Sequence, residues 1–184
     1  MTPTTAAAAP SPFHSLLAEQ VGHEFGASQQ YVAIAVWFDQ QALPQLAARF
    51  YAQALEERNH AMMIVQYLMD REVSVTIPGI PDVRNEFSSI VEPIELALQQ
   101  ERNVTSQFEK LIATARDDSD YLGEQFTHWF LKEQVEEVAS MSTMLQVARH
   151  CLENPLLMED YLAREGAKSE SADPTAPHPA GGAV

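Results

Sequence analysis

The sequence predicts an all-α fold: a bundle of four long helices with one long crossover between the second and third, and a short fifth helix behind the fourth. Two observations carry this. Four stretches of the 184-residue chain place apolar side chains three and four residues apart, the repeat of one helix face. Of the three breaks between those stretches, two are a few residues long and the middle one spans residues 72–92.

Residues 1–12, mostly Thr, Ala, Pro and Ser, read as a frayed leader. From Pro12 to Phe38, the residues Leu17, Val21, Glu24, Ser28, Tyr31, Ala35 and Phe38 fall on one face and define the first helix. Leu43-Pro44 breaks the pattern and starts the second, since proline is favoured at the first helical position. Its row is Leu46, Phe50, Gln53, Glu57, His60, Ile64 and Tyr67, ending near Arg71. Residues 72–92 then change character. β-Branched residues, Gly79, Pro78 and Pro81, with Pro93 just beyond, indicate an extended connection.

The third helix is expected over Pro93 to Arg116, with Ile94, Leu98, Glu101, Thr105, Phe108 and Ile112 in register. Asp117, Asp118, Ser119 and Asp120 supply a turn and an N-cap for the fourth. The three aspartates are also candidates for lining a cation pore. The fourth helix runs to about Leu152 along Thr127, Phe130, Gln134, Glu137, Met141, Met144 and Ala148. Asn154-Pro155 opens the fifth, whose apolar side is Leu156, Leu157, Tyr161 and Leu162. The folded domain is therefore expected to cover residues 13–165. Residues 166–184 carry no periodicity and read as a disordered tail, a candidate docking segment.

Short turns make the first and second helices antiparallel, and likewise the third and fourth. Extended, the crossover could reach roughly 60 Å, whereas a helix of this length is only about 39 Å long. It can carry the chain back along the bundle and set the second and third helices parallel.

Asp and Glu outnumber Lys and Arg by 26 to 11, for a formal net charge of −15. A surface this acidic repels phosphate backbones, which excludes nucleic acid as a partner. Cys151 is the only cysteine, so an intrachain disulfide and a Cys-based zinc or iron–sulfur site are excluded. No apolar run is long enough to span a bilayer, and the first residues lack a basic signal-peptide region. A soluble, cytoplasmic protein is expected.

The chemistry lies in what interrupts the apolar rows. Each long helix carries a carboxylate near the middle of its core-facing row: Glu24, Glu57 with His60, Glu101, and Glu137 with Gln134. Burying an unpaired carboxylate costs several kcal/mol, against a whole-domain stability of about 5–15 kcal/mol. No Lys or Arg lies on these rows to compensate. Divalent metal is the natural counter-charge, and two ions would balance four carboxylates. Glu57 and His60, three apart, share a face, and a mixed oxygen and nitrogen set suits Fe(II), Mn(II) or Zn(II) rather than Mg(II) or Ca(II).

With these residues in view the sequence resembles the non-haem bacterial ferritins, and their actinobacterial branch in particular, from Phe13 to Arg164. The resemblance rests on Glu24-Phe25 with Gln30-Tyr31, on the run Glu56 to Ala61, on Gln100-Glu101-Arg102, on Trp129-Phe130 and on the run Glu133 to Glu137. It implies the ferritin-like bundle and a ferroxidase centre for Fe(II) and Fe(III). Glu24, Glu57 and His60 would hold one iron and Glu57, Glu101 and Glu137 the other, with Glu57 bridging. Gln134 would sit over the second iron. Glu56, Glu133 and Glu136 would form a third iron site, and Tyr31 would stand beside the centre as an electron donor. The resemblance also implies reaction with dioxygen, a homo-oligomeric 24-subunit cage filled with mineral, and a fifth helix lining the four-fold axis. Haem-binding relatives place Met after the bridging Glu; here that residue is Arg58, so no haem is expected. Symmetric di-iron bundles repeat Glu-x-x-His on two helices. Gln134 replaces that pattern on the fourth helix here, which should weaken the second site and favour an iron that moves on.

Overall fold

The computed structural model describes residues 11–165 and 173–184. The leader before residue 11 and residues 166–172 of the expected tail lie outside the described residues. The architecture is α1 (Pro12–Gln40), α2 (Pro44–Asp70), α3 (Val91–Asp117), α4 (Tyr121–His150) and α5 (Leu156–Glu165). No strand occurs among the described residues. The four long helices are those expected, with ends displaced by two residues at most, as is ordinary where end turns fray.

The helix ends are tied down by side chains, several from distant elements. Ser11 caps α1 by accepting from the His14 amide at 3.2 Å, and Asp120 caps α4 by accepting from the Gly123 amide at 2.9 Å. Asp118 accepts from the Phe13 amide at 2.8 Å, fastening the start of α1 to the end of α3. Leu43 gives α2 no side-chain cap. Glu159 of α5 replaces it, accepting from the Gln45 and Leu46 amides at 2.7 and 2.9 Å, where the helix dipole favours negative charge. Two of the three aspartates considered for a pore, Asp118 and Asp120, thus direct their carboxylates at helix amides.

The interior is divided. One apolar slab contains Tyr31, Phe38, Phe50, Ile94, Met141 and Met144. The other contains Phe13, Val21, Ile64, Phe108, Leu111 and Phe130. Between them, at the middle of every long helix, lies a layer of buried polar residues. The slabs supply the cohesion that this layer lacks.

The crossover follows α1 step by step. The Cβ that Gly22 lacks would lie 3.0 Å from the Pro78 ring, and that of Gly26 4.0 Å from Pro81. One turn further, the Gln30 side-chain amide pairs with the Arg84 backbone in both directions, at 2.8 Å each. The Trp37 and Phe87 rings then meet edge to face at 5.5 Å. The segment therefore travels in the direction of α1 and returns the chain to the level where α2 began, which makes α2 and α3 parallel.

Residues 173–184 depart from expectation: they lie against the bundle. Asp173 accepts from Trp129 Nε1, and the Ala180 amide donates to the Met62 carbonyl at 3.0 Å. Ala176 and Ala180 pack on the slab around Phe130. The segment needs no amphipathic repeat to bind, because an aspartate, two alanines and backbone amides make the contact.

Gly123 gives the fold a sharp test. A Cβ there would overlap the ring of Phe13, which is fully buried. Overpacking of about 1–3 kcal/mol should outweigh the ~1 kcal/mol that alanine gains in a helix. Thermal unfolding should therefore show a lower midpoint for Gly123→Ala and no comparable drop for Gly79→Ala, whose Cβ meets nothing within 4 Å.

Candidate metal centre

The buried layer brings together side chains from all four long helices. Glu24 comes from α1, Glu57 and His60 from α2, Glu101 from α3, and Gln134 and Glu137 from α4; all six are buried. Glu24, Glu57 and His60 each present a ligand atom, and these atoms lie within 4.8 Å of one another. His60 Nδ1 is 3.3 Å from Glu57 Oε2. Gln20 donates to Glu24 Oε1 at 2.8 Å, whereas Glu24 Oε2 is buried with no hydrogen-bond partner. A buried carboxylate oxygen left unpaired is costly, and a cation held with Glu57 and His60 would satisfy it. The donor chemistry, two carboxylates and an imidazole, fits a divalent transition metal.

The other half of the layer is held by hydrogen bonds. Tyr31 donates its hydroxyl to Glu101 Oε1. Gln134 Nε2 donates to Glu101 Oε2 at 3.2 Å, while Thr105 donates its hydroxyl to Gln134 Oε1 at 3.0 Å. Gln53 Nε2 donates to Glu137 Oε2 at 2.9 Å and to Glu57 Oε1 at 3.3 Å, joining the two halves. Among the described residues, Glu101 and Glu137 share the layer without joining the close group of Glu24, Glu57 and His60. Glu56 and Glu133 lie half-buried beside the layer, and Glu136 is exposed.

Two supports escape a sequence reading that stops at ionisable groups. Gln20 stands four residues before Glu24, and Gln53 four before Glu57, so each amide meets its carboxylate along one helix face. That spacing was the available signal. Arg49, one turn before Gln53 and off the apolar row, also brings positive charge to bear on Glu137.

The Ferritin-like domain family matches residues 14–150. The chain belongs to the ferritin family. Ferritin BfrB of Mycolicibacterium smegmatis is 56% identical over 181 residues, covering 98% of this chain and 99% of the relative. Bacterial non-heme ferritin of Staphylococcus saprophyticus is 42% identical over 155 residues, 84% of each chain. In fold, the chain is similar to an open pore ferritin from Archaeoglobus fulgidus. The TM-score is 0.82 at 23% identity, covering 87% of this chain and 99% of that one.

Protons compensate the acidic layer of this ferritin chain when no cation does. Burial, reinforced by the charge of Glu57, raises the Glu24 carboxyl well above the usual carboxylate range. Burial and the same charge raise Glu101 to about 7. Burial with the charges of Glu56 and Glu101 takes Glu137 to about 8. Burial opposes charge on His60, but the hydrogen bond and charge of Glu57, with Glu24 and Glu56 adding, raise it to about 10. Burial likewise opposes ionisation of Glu57, yet the hydrogen bond and charge of His60 keep it below its ordinary value. Below about pH 7, Glu57 and His60 therefore form a buried ion pair among largely protonated neighbours.

Glu24, Glu101, Glu137 and His60 all bind protons more tightly folded than unfolded, so the metal-free bundle loses stability as pH rises through the window between those two values. For the carboxyls the loss begins just above their ordinary 4.5 and for His60 above its ordinary 6.5. Melting temperatures of chelator-treated protein should fall from about pH 5 to about pH 8. Glu137→Gln should flatten that slope, and divalent metal should raise stability most at the alkaline end, where it no longer competes with protons.

Proposed function

We propose that this ferritin oxidises Fe(II) with dioxygen at an intrasubunit pair of iron sites and stores the Fe(III) as mineral in a 24-subunit cage of identical chains in the cytoplasm. One observation carries the reading. A buried acidic layer contains Glu24, Glu57 and His60 within ligand distance of one another, with one Glu24 oxygen unpartnered. Such a layer is tolerable in a stable bundle when cations bind it.

Iron is the substrate, and the residues divide its handling. Glu24, Glu57 and His60 would take the first Fe(II), and Glu57, Glu101 and Glu137 the second. Glu57 suits a bridging role, because its charge is felt at Glu24, Glu101 and Glu137 alike. Two Fe(II) held side by side would each give one electron to dioxygen, reducing it to the peroxide level, which takes up two protons to leave as hydrogen peroxide. The chain supplies proximity and charge compensation. Gln134, fastened to Glu101 and Thr105, covers the second site with a neutral donor, so Fe(III) is held there less firmly than by an imidazole. Tyr31, hydrogen-bonded to Glu101, is placed to lend an electron. Glu56, Glu133 and Glu136 would receive a third iron on the way to the mineral.

Apolar surface supports assembly. Leu152, Leu156 and Leu157 are each about half exposed or more on or beside α5, as are Tyr121 and Leu122 at the start of α4. Copies of the chain would cover them. Among the described residues no helix is long and apolar enough to cross a membrane.

Aerobic loading with many Fe(II) equivalents, followed by size-exclusion chromatography of protein and iron together, tests the whole reading. Co-elution of iron with a very large assembly is the expected result. A small species holding about two irons per chain, the complement of one paired centre, would instead indicate a di-iron enzyme without storage. Loss even of residues outside the ligand sphere typically costs about 10–100-fold in activity. Glu57→Ala should therefore slow the initial oxidation at least about 100-fold; rapid oxidation in that variant would remove the bridging assignment.

A further inference from the structure

Residues 173–184 do more than lie against the surface. They cross from α4 to α2, beginning with Asp173 at Trp129 and Lys132 and ending with Val184, which exchanges hydrogen bonds with the Asn59 side chain at 3.3 and 3.4 Å. Between these points the Ala180 amide reaches the Met62 carbonyl, and Ala176 and Ala180 pack on the apolar slab. Asn59 immediately precedes His60, and Trp129 touches it.

Trp129 is the link. Its indole Nε1 donates to Asp173 Oδ2 at 3.2 Å. Its ring meets the His60 imidazole edge to face, with centroids 5.8 Å apart and planes at 75°. Phe130 forms the second aromatic wall of the imidazole, at 5.6 Å. Phe130 is fully packed inside the bundle, whereas Trp129 is half-buried and its only N–H donor is taken by Asp173. Asp173 is itself held on several sides. Thr175 donates through its amide at 2.8 Å and its hydroxyl at 2.7 Å, and Lys132 Nζ stands at 3.3 Å.

We propose that residues 173–184 are a strap that positions His60 for metal through Asp173 and Trp129, an inference that rests on reading His60 as an iron ligand. Asp173 fixes the tilt of the indole, and the indole fixes one wall against which the imidazole turns. Asp173 and Trp129 are thus positioning residues: neither touches the metal. The strap also covers the α2 and α4 surface at the level of His60, so the ligand is sheltered from water on that side. Contacts outside the ligand sphere commonly govern metal affinity through ligand orientation.

The test uses the full-length protein with Co(II), a redox-stable stand-in whose visible absorption reports ligand geometry. Asp173→Ala and Trp129→Phe should each weaken Co(II) binding by calorimetry about tenfold and alter the visible bands. Asp173→Asn, whose single amide oxygen can accept from the indole or from Thr175 but not from both, should recover only part of both. Unchanged affinity and spectra in Asp173→Ala and Trp129→Phe would overturn the strap while leaving the metal centre standing. A loss in Lys132→Met, which removes the charge partner and leaves the indole hydrogen bond, equal to that in Asp173→Ala would trace the effect to charge and overturn it as well. A wild-type Co(II) spectrum indifferent to His60→Ala would remove the ligand assignment itself, and the strap with it.

Discussion

Burying Glu24, Glu57, Glu101 and Glu137 in one layer imposes a cost of several kcal/mol for each charge left uncompensated, enough to consume the stability of a domain. The surrounding structure answers that cost locally. Glu57 and His60 neutralise each other. Gln20, Gln53 and Gln134 donate to one oxygen each of Glu24, Glu137 and Glu101, one Glu24 oxygen is left unpartnered, and the carboxyls other than Glu57 have raised proton affinity. The two apolar slabs on either side supply the cohesion. Phe38 stacks on Phe50 in one, and Phe108 on Phe130 in the other. Phe130 belongs to both accounts, because it also packs against His60. The polar layer and the core are therefore one design, with no boundary that would allow either to change alone.

That division of labour explains why the layer was legible in the sequence. Glu24, Glu57, His60, Glu101 and Glu137 interrupt apolar rows of helical period, and a charge on a buried row has few physical explanations. The rows also specified four helices, and the lengths of the breaks specified which neighbours run antiparallel. Proline and aspartate marked the helix starts because their local backbone chemistry acts within a few residues.

What stayed hidden depends on contacts between distant segments that have no pattern of their own. Glu159 caps α2 from more than a hundred residues away, and nothing near Pro44 announces it. Arg49 lies off the apolar row, yet its long side chain carries charge toward Glu137. Residues 173–184 are small, polar and aperiodic, the composition of a chain too poor in apolar area to fold alone. They bind because α2 and α4 already provide a finished surface, and composition cannot report what surface a segment will meet.

The pairing of Gln30 with the Arg84 backbone has a consequence for how this family member can vary. A side-chain amide here imitates a neighbouring strand, offering one donor and one acceptor to a single residue of the crossover. With Pro78 against Gly22 and Phe87 against Trp37, the crossover is registered to α1 like teeth on a rack. An inserted or deleted residue between 78 and 87 would shift every later tooth, and with it the height at which α3 begins. Glu101 would then leave the layer it shares with Glu57. Length changes should therefore be tolerated outside that stretch, in loops whose ends carry no such register, and purged within it.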